Sequence, residues 1–543
     1  MADKTVQKIT RVVLMACLGL YAGLSASAAE VPPGVHLASK QEIVRGNGEE
    51  PATLDAQLAE SNESFNIIND LFEGLVRTAA DGRAEPALEA SWDSKNNRVW
   101  TFHLRPGLTW SDGSPITARD VVFSWRRLAD PKTASPYASF ANYAHIANAQ
   151  AVTAGKLPPD QLGVTALDDH TVQVTLDQPV SYFLQFVAHP SLFPVSEHNV
   201  EHYGDKWTLP GHMVSSGAYK LAQWVVNEKV VLERNDKYWD NAHTVINRVT
   251  FLPLNDGTAE LNRYRAGEIS ITNTIPSVDF PQMKKSLPDQ IKSTPVLSVF
   301  YFQFNNNKPP FTDVRVRQAI NLSLNKGIIA EKVIGKGQQP AWAVLPLSMG
   351  GIKIRPPEWA AWSQQQRVHK AQALLKSAGY SSAHPLTFTL LYNTTDDNRR
   401  IAIAAASMWK ETLGAHVTLQ NEEWKTMLDT MHQGKFDMVR YTWIGDYNEP
   451  STFLNTFRIG DSQNTCLYHS EAFDAAVKAA GAAQTLAESQ ADYQKASDII
   501  AADSPVVPVF YGVQNQLVKP AVGGFAPSPL GFYYTKDLYL KTK

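Results

Sequence analysis

Two short stretches of this chain hold side chains that could do chemistry. In residues 441–450, YTWIGDYNEP, the carboxylate of Asp446 stands between Trp443 and Tyr447, just past an apolar, strand-like run. A carboxylate is costly to place among aromatic rings unless a cation or hydrogen-bond donors meet it. One cation in the chain is Arg440 on the preceding strand. Six residues of extended chain span about 20 Å, so the two pair only if the strand breaks and turns back. The other option is an open ammonium site, where Asp446 accepts an amine from a ligand and the rings exclude water. Such a charge-assisted pair contributes roughly 1.5–3 kcal/mol. Local residues leave both options open. The second stretch, His198-Asn-Val-Glu201-His202, matches the H-x-x-E-H pattern of inverted zinc peptidases. That chemistry needs both imidazoles on one face of a long helix and a third ligand from elsewhere. Pro194 and Gly204 confine the segment to about two turns, so a solvated surface turn is the plainer reading. No G-x-S-x-G, P-loop or C-x-x-C pattern occurs.

The elements that must position these residues change character along the chain. From about 40 to 260 the sequence alternates strand-like runs and turns, with few helices. RVWTFHLRPG sets Val99, Thr101 and His103 against Trp100, Phe102 and Leu104 with period two, and stops at Pro106-Gly107. Thr117 and Asp120 form a capping box opening a helix with Val121, Val122, Trp125, Leu128 and Ala129 on one face. KVVLERN and VTFLPL are further strands. From about 300, Asp313 caps a helix with Val316, Ala319, Ile320 and Leu324 inward. Val368, Ala371, Leu375 and Ala378 mark another, stopped by Gly379. Strand LTFTLLY, helix RRIAIAAASMWKETLG, strand HVTLQ, helix WKTMLDTMHQG and strand FDMVRYTW follow. This alternation predicts an α/β sheet layered with helices. Asp446 then lies just beyond the last strand, where such sheets place their ligands.

The chain has 543 residues, with 10% aromatic residues and an ordinary globular composition. Its N-terminus reads as an export signal: Lys4, Lys8 and Arg11 precede the apolar residues 12–24, and Ser27, Ala28 and Ala29 form a small-residue cleavage site. The apolar run is too short to span a bilayer. Cys17 sits in a faint lipoprotein-like box, but the apolar run continues past it. Cleavage of residues 1–29 takes 50 basic and 53 acidic residues to 47 and 52, a net charge of −5. Mild acidity argues against nucleic acid as a partner. Cleavage also leaves Cys466 without a cysteine to pair with, so its thiol reads as incidental. Export without an anchor implies a periplasm-like compartment.

Six longer motifs carry a resemblance over essentially the whole chain after the signal. They are NDLFEGLV (69–76), WTFHLRPGLTWSDGSPITARDVVFSWRRLADPKTASPY (100–137), SSGAYKL (215–221), NRYRAGEI (262–269), KPPFTDVRVRQA (308–319) and GDYNEPSTFLNTF (445–457). In order and without large insertions, they resemble the periplasmic oligopeptide-binding family of ABC-importer solute receptors and its murein-peptide-binding members. The resemblance implies a type II periplasmic-binding-protein fold of two lobes and three domains, closing by a hinge over an extended peptide. Domain I would comprise residues 30–72, 197–297 and 514–543, domain II residues 73–196, and domain III residues 298–513. It implies that Asp446 binds the peptide α-ammonium. Glu60, Ser61 and Asn62, with the loop at Ser216 and Gly217, would hydrogen-bond the peptide main chain. Ile444 and Gly445 would supply the opposing strand, an instance of strand addition. Tyr137, Tyr301, Trp424 and Trp443 match side-chain-pocket residues, Arg440 matches an arginine that meets ligand carboxylates, and Asn393 and Asn398 join the candidate contacts.

Departures from the family pattern sharpen the expectation. Ser298 and Ile444 stand where relatives carry a disulfide. Asn398 and Ile334 replace a histidine and a lysine associated with the C-termini of longer peptides, which leaves Arg440 as the carboxylate partner and favours short peptides. Met431 replaces an arginine expected to meet a murein peptide's free carboxylate. Asn273, Val296 and Gly512 replace pocket tyrosines and Gln303 a glutamate, so pockets should be roomy and tolerant. The expectation is a monomeric receptor for short peptides with a free amino terminus, delivering them to a membrane permease without catalysis or cofactor. The alternatives are a murein-peptide receptor, a receptor for a non-peptide ligand, a zinc peptidase and a chaperone for unfolded chains.

Overall fold

The computed structural model describes residues 29, 31–180, 182–483 and 485–542; apart from Ala29, the expected export signal lies outside them. Three main sheets organise the chain. The first has four strands in the order Glu42–Gly48, Arg248–Pro253, Lys229–Arg234 and Tyr219–Val225, parallel in its first pair and antiparallel thereafter. The second is antiparallel, in the order Glu89–Lys95, Val99–Leu104, Thr171–Thr175 and Val164–Asp168. Here the period-two expectation holds: Trp100, Phe102 and Leu104 are buried while Val99, Thr101 and His103 are half-buried. Alternate side chains of a strand point to opposite faces, and only one face meets the core.

The third sheet has six strands in the order Gln339–Pro340, Val506–Leu517, Ile291–Phe304, Met438–Ile444, Thr387–Asn393 and His416–Glu422. Its last three run parallel, as strand–helix alternation demands, and the long strands Ile291–Phe304 and Val506–Leu517 pair antiparallel. These two strands also join the lobes. Val518, just past the second, bridges to Ile271, which in turn bridges to Arg45 of the first sheet. Their register shifts between Pro295 and Val299, where proline removes a ladder donor.

The helices follow their caps. Helix Ala118–Ala129 carries the full reciprocal box, Thr117 with Asp120. Asp313 accepts from the Arg315 N–H to cap Val314–Ser323; Leu324, expected on that helix, lies one residue past it and is buried too. In helix Gln364–Ser377, Val368 is only half-buried and Arg367 holds the buried position. Its guanidinium is satisfied by the carbonyls of Trp359, Ala360 and Trp362. The expectation of few helices before residue 260 needs correction. Ser61 caps a ten-residue helix, Asn62–Leu71, whose Phe65, Ile67, Ile68 and Leu71 are buried, and short helical turns punctuate the region.

The peptidase motif falls on a seven-residue helix, Glu197–Tyr203, where the rings of His198 and His202 stack at 5.8 Å. Among the described residues no group of three His, Cys, Asp or Glu side chains could hold a metal. Cys466 is buried, and burial pushes its thiol up to about 12, far from a reactive thiolate. No helix among the described residues is long and apolar enough to cross a membrane.

Candidate functional site

A cavity of about 340 Å³ lies between the lobes, and residues 440–446 form one wall of it. Strand Met438–Ile444 pairs along its full length with Ile291–Phe304, from Phe304↔Met438 to Ser298↔Ile444. On its other side it meets Thr387–Asn393 only at Met438 and Val439. Beyond Val439 that edge is bare and faces the cavity. The Gly445 N–H donates to the Leu297 carbonyl at 2.7 Å, so strand alternation aims the main-chain groups of Thr442 and Ile444 at the open edge.

Asp446 follows at the end of this edge, its backbone N–H donating to Thr452 Oγ1 at 2.8 Å. The carboxylate is 10% exposed, and its Oδ1 accepts from the Tyr137 hydroxyl at 3.1 Å and from His189 Nε2 at 3.2 Å. Both donors come from the opposite lobe. The Ser191 N–H donates to His189 Nδ1, which leaves the ring proton on Nε2 for Asp446 even when the imidazole is neutral. Tyr137 and His189 stack at 4.8 Å, with Phe65 edge-on to both rings. A hydroxyl, a ring N–H and aromatic walls therefore meet the Asp446 carboxyl group.

Arg440 does not pair with Asp446. Its Nη1 donates to Asn393 Oδ1 at 2.8 Å and its Nη2 to Thr442 Oγ1 at 3.3 Å, while Nε is buried with no partner among the described residues. The guanidinium lies 5.1 Å from the Phe300 ring centroid. Burial pulls its pKa down to about 10 against the opposing influence of Glu63 and Glu49, so it stays charged at neutral pH. Among the described residues this cation has no carboxylate within ion-pair distance.

The other expected residues divide clearly. Glu60, Ser61, Asn62, Trp424, Trp443, Ile444, Gly445, Asn393 and Asn398 line the cavity with Tyr137, Arg440 and Asp446. Ser61 spends its hydroxyl on the Ser64 N–H as a helix cap. The indole N–H groups of Trp424 and Trp443 are buried with no partner among the described residues. Two expected residues stand elsewhere. Tyr301 is buried beneath the strand against Tyr441 and Phe457 and does not reach the wall. Gly217 is a close-packing position: a Cβ there would come within 2.7 Å of the Asp70 carbonyl oxygen.

Several site residues escaped the sequence reading, because their partners lie hundreds of positions away. His189 reaches Asp446. His432 Nε2 meets both carboxylate oxygens of Glu60, at 2.8 and 3.0 Å. Asn393 Nδ2 donates to Glu49 Oε1 at 3.1 Å. Burial first, then the Glu63 charge, raises the Glu49 carboxyl to about 7.

Residues 83–465 match the family of bacterial extracellular solute-binding proteins, family 5. The periplasmic oligopeptide-binding protein OppA of Salmonella typhimurium is 50% identical over 525 residues, covering 96% of both chains. The structure of the Escherichia coli murein tripeptide-binding protein MppA superposes with a TM-score of 0.92 at 43% identity, covering 93% of this chain and all of that one. Haemophilus influenzae OppA in complex with the peptide RPPGFSPFR gives 0.91 at 40% identity over the same shares. The unliganded open form of MppA gives only 0.66 at an unchanged 43% identity, covering 94% and 99%. Equal sequence with unequal superposition isolates the lobe arrangement, so the bonds Tyr137–Asp446, Glu60–His432 and Glu49–Asn393 belong to a closed cleft. The chain thus has the two-lobed type II fold and belongs to the family-5 extracellular solute-binding proteins, in the branch of periplasmic oligopeptide- and murein-peptide-binding receptors.

Proposed function

We propose that this chain is a periplasmic receptor of an ABC importer that captures short oligopeptides by their α-ammonium and main chain and delivers them to a membrane permease. One observation carries the reading. Asp446 ends a bare strand edge inside the closed cleft, met by the Tyr137 hydroxyl and the His189 ring, and among the described residues no lysine or arginine lies within ion-pair distance of it. A ligand ammonium supplies the missing cation, and an extended ligand adds to the edge at Thr442 and Ile444, where backbone bonds hold any sequence. Arg440, without a carboxylate of its own, receives the ligand's C-terminus. The site calls for no metal or cofactor.

The receptor is exported by cleavage of residues 1–29 and works as a monomer. Residues 30–72, 197–297 and 514–543 act as domain I, 73–196 as domain II and 298–513 as domain III. Calorimetry on mature protein, unfolded and refolded to strip carried ligand, tests the reading with an alanine- and lysine-containing tripeptide and its N-acetylated twin. The free-amine peptide is expected to bind and the acetylated one to lose at least tenfold. Equal affinities would overturn the ammonium site. Heat from murein tripeptide alone would shift the reading to a cell-wall peptide receptor, against the buried Met431.

A further inference from the structure

The residue after Asp446 joins the lobes through its ring. Tyr447 is 1% exposed, yet it does not line the cavity. Its ring lies 4.3 Å from that of Phe186, 6.2 Å from Phe140 and 6.3 Å from Tyr182, the last stacked at 17°. All three partners come from the opposite lobe. Beside them the Asn448 N–H donates at 3.1 Å to Oε1 of Gln185, on the helix Phe183–Val187 that carries Phe186. The Tyr447 hydroxyl shares a hydrogen bond with Ser451, in its own lobe, at 2.9 Å. Opening the cleft therefore leaves the polar atom bonded and strips the ring of its apolar cover. Phe140 ties this socket to the carboxylate site, because it also meets the rings of Tyr137 and His189, at 5.8 and 4.7 Å. The segment around Tyr137 is gripped as well. The Pro136 carbonyl accepts from Ser462 Oγ at 2.6 Å and from Gln463 Nε2 at 2.8 Å, and the Ser462 N–H donates to Ser139 Oγ at 3.0 Å.

We propose that Tyr447 is a positioning residue: docked in the socket of Phe140, Tyr182 and Phe186, it holds the lobes closed and so sets affinity and residence time without touching the ligand. The inference rests on the peptide-receptor reading above and adds to it a residue that acts through closure. A ring that is covered only when the lobes meet favours the closed form whatever the cleft contains. The apparent affinity of a ligand scales with how favourably that form is populated. Docking follows encounter, so its loss appears in release rather than in capture. Tyr447 lies outside the cavity wall, so its contribution is the same for a free-amine peptide and for an acetylated one.

The test measures affinity by calorimetry and rates by stopped flow, on refolded mature protein with an alanine- and lysine-containing tripeptide and its N-acetylated twin. Tyr447→Ala is expected to release the tripeptide about tenfold faster or more and to weaken both peptides by a like factor. The association rate and the ratio of the two affinities should stay within about threefold of wild type. Tyr447→Leu keeps apolar bulk without the stacked ring and serves if the alanine variant does not fold; its release should quicken by about threefold or more. Tyr447→Phe keeps the ring, and the hydroxyl bonds only within its own lobe, so this variant should match wild type. Unchanged release in whichever of the alanine and leucine variants folds overturns the anchor. A loss confined to the free-amine peptide overturns it too, by placing Tyr447 in the ammonium site. If neither peptide binds wild type, the receptor reading fails and the anchor with it, an outcome distinct from peptide that binds and leaves every variant at the wild-type rate.

Discussion

The Glu60–His432 pair should make ligand capture tighten as the medium becomes more acid. It joins the lobes with His432 Nε2 at 2.8 and 3.0 Å from the two carboxylate oxygens, with the side chains 31% and 12% exposed. Burial disfavours the imidazolium, but the hydrogen bond and charge of Glu60, with Asp429 adding to them, outweigh it, and the closed-state pKa rises above the ordinary 6.5. Opening separates the pair and returns His432 towards that value. The extra stability of the closed form is thus complete below about 6.5 and is lost as pH climbs through the raised value. A buried charge-assisted bond contributes roughly 1.5–3 kcal/mol; with nearly a third of the ring in solvent, about 1 kcal/mol is the fitting figure, a fivefold change in affinity. Glu49 works in the same direction, since its carboxyl is held at about 7 in the closed cleft and closure there takes up a proton. The assay must separate the two. Calorimetry of a tripeptide from about pH 5.5 to 7.5 reaches only the start of the ligand amine's titration, near 7.7–8.0, a share common to both proteins, and His432→Ala removes only its own. The wild-type affinity should fall about fivefold more steeply than that of the variant. Parallel profiles would refute the latch.

Two further predictions concern fold and ligand. Gly217→Ala drives a Cβ to 2.7 Å from the Asp70 carbonyl and 2.8 Å from the Leu71 carbonyl carbon, backbone atoms that cannot swing aside; stability should fall by about 1–3 kcal/mol in urea unfolding, while the folded fraction keeps its peptide affinity. Arg440→Gln removes the cation proposed to meet the ligand carboxylate, so the wild-type preference for a free C-terminus over its amide, expected near tenfold, should vanish in calorimetry.

The sequence announced local structure well where caps and periodicity agree. Thr117 with Asp120, the VWTFHL alternation and Asp313 each marked an element that stands where expected. It was silent where tertiary packing decides. Helix Asn62–Leu71 carries the apolar spacing Phe65, Ile68, Leu71 behind the cap Ser61, a readable signal that the strand-rich surroundings obscured. Arg367 displaced Val368 from the buried face because nearby carbonyls satisfy its guanidinium. At the site, the oddity of Asp446 among aromatics was legible, and so was the distance that keeps Arg440 from it. Its actual donors were not. Tyr137 is 309 positions away, and His189, in AHPSLFP, has nothing local to set it apart from a core histidine. Glu49 and His432 were invisible for the same reason: their chemistry exists only when the lobes meet.

The central claim is that Asp446 recognises a peptide ammonium. A double-mutant cycle tests it most directly, combining wild type and Asp446→Asn with a tripeptide and its N-acetylated form. Asparagine keeps an Oδ1 for Tyr137 and His189 while deleting the charge, so the cleft keeps its shape. The expected result is a coupling of about 1.5–3 kcal/mol between the carboxylate and the amine, with the variant unable to distinguish the two peptides. A coupling near zero, with wild type and variant preferring the free amine equally, would contradict the account and place the ligand's amino terminus elsewhere.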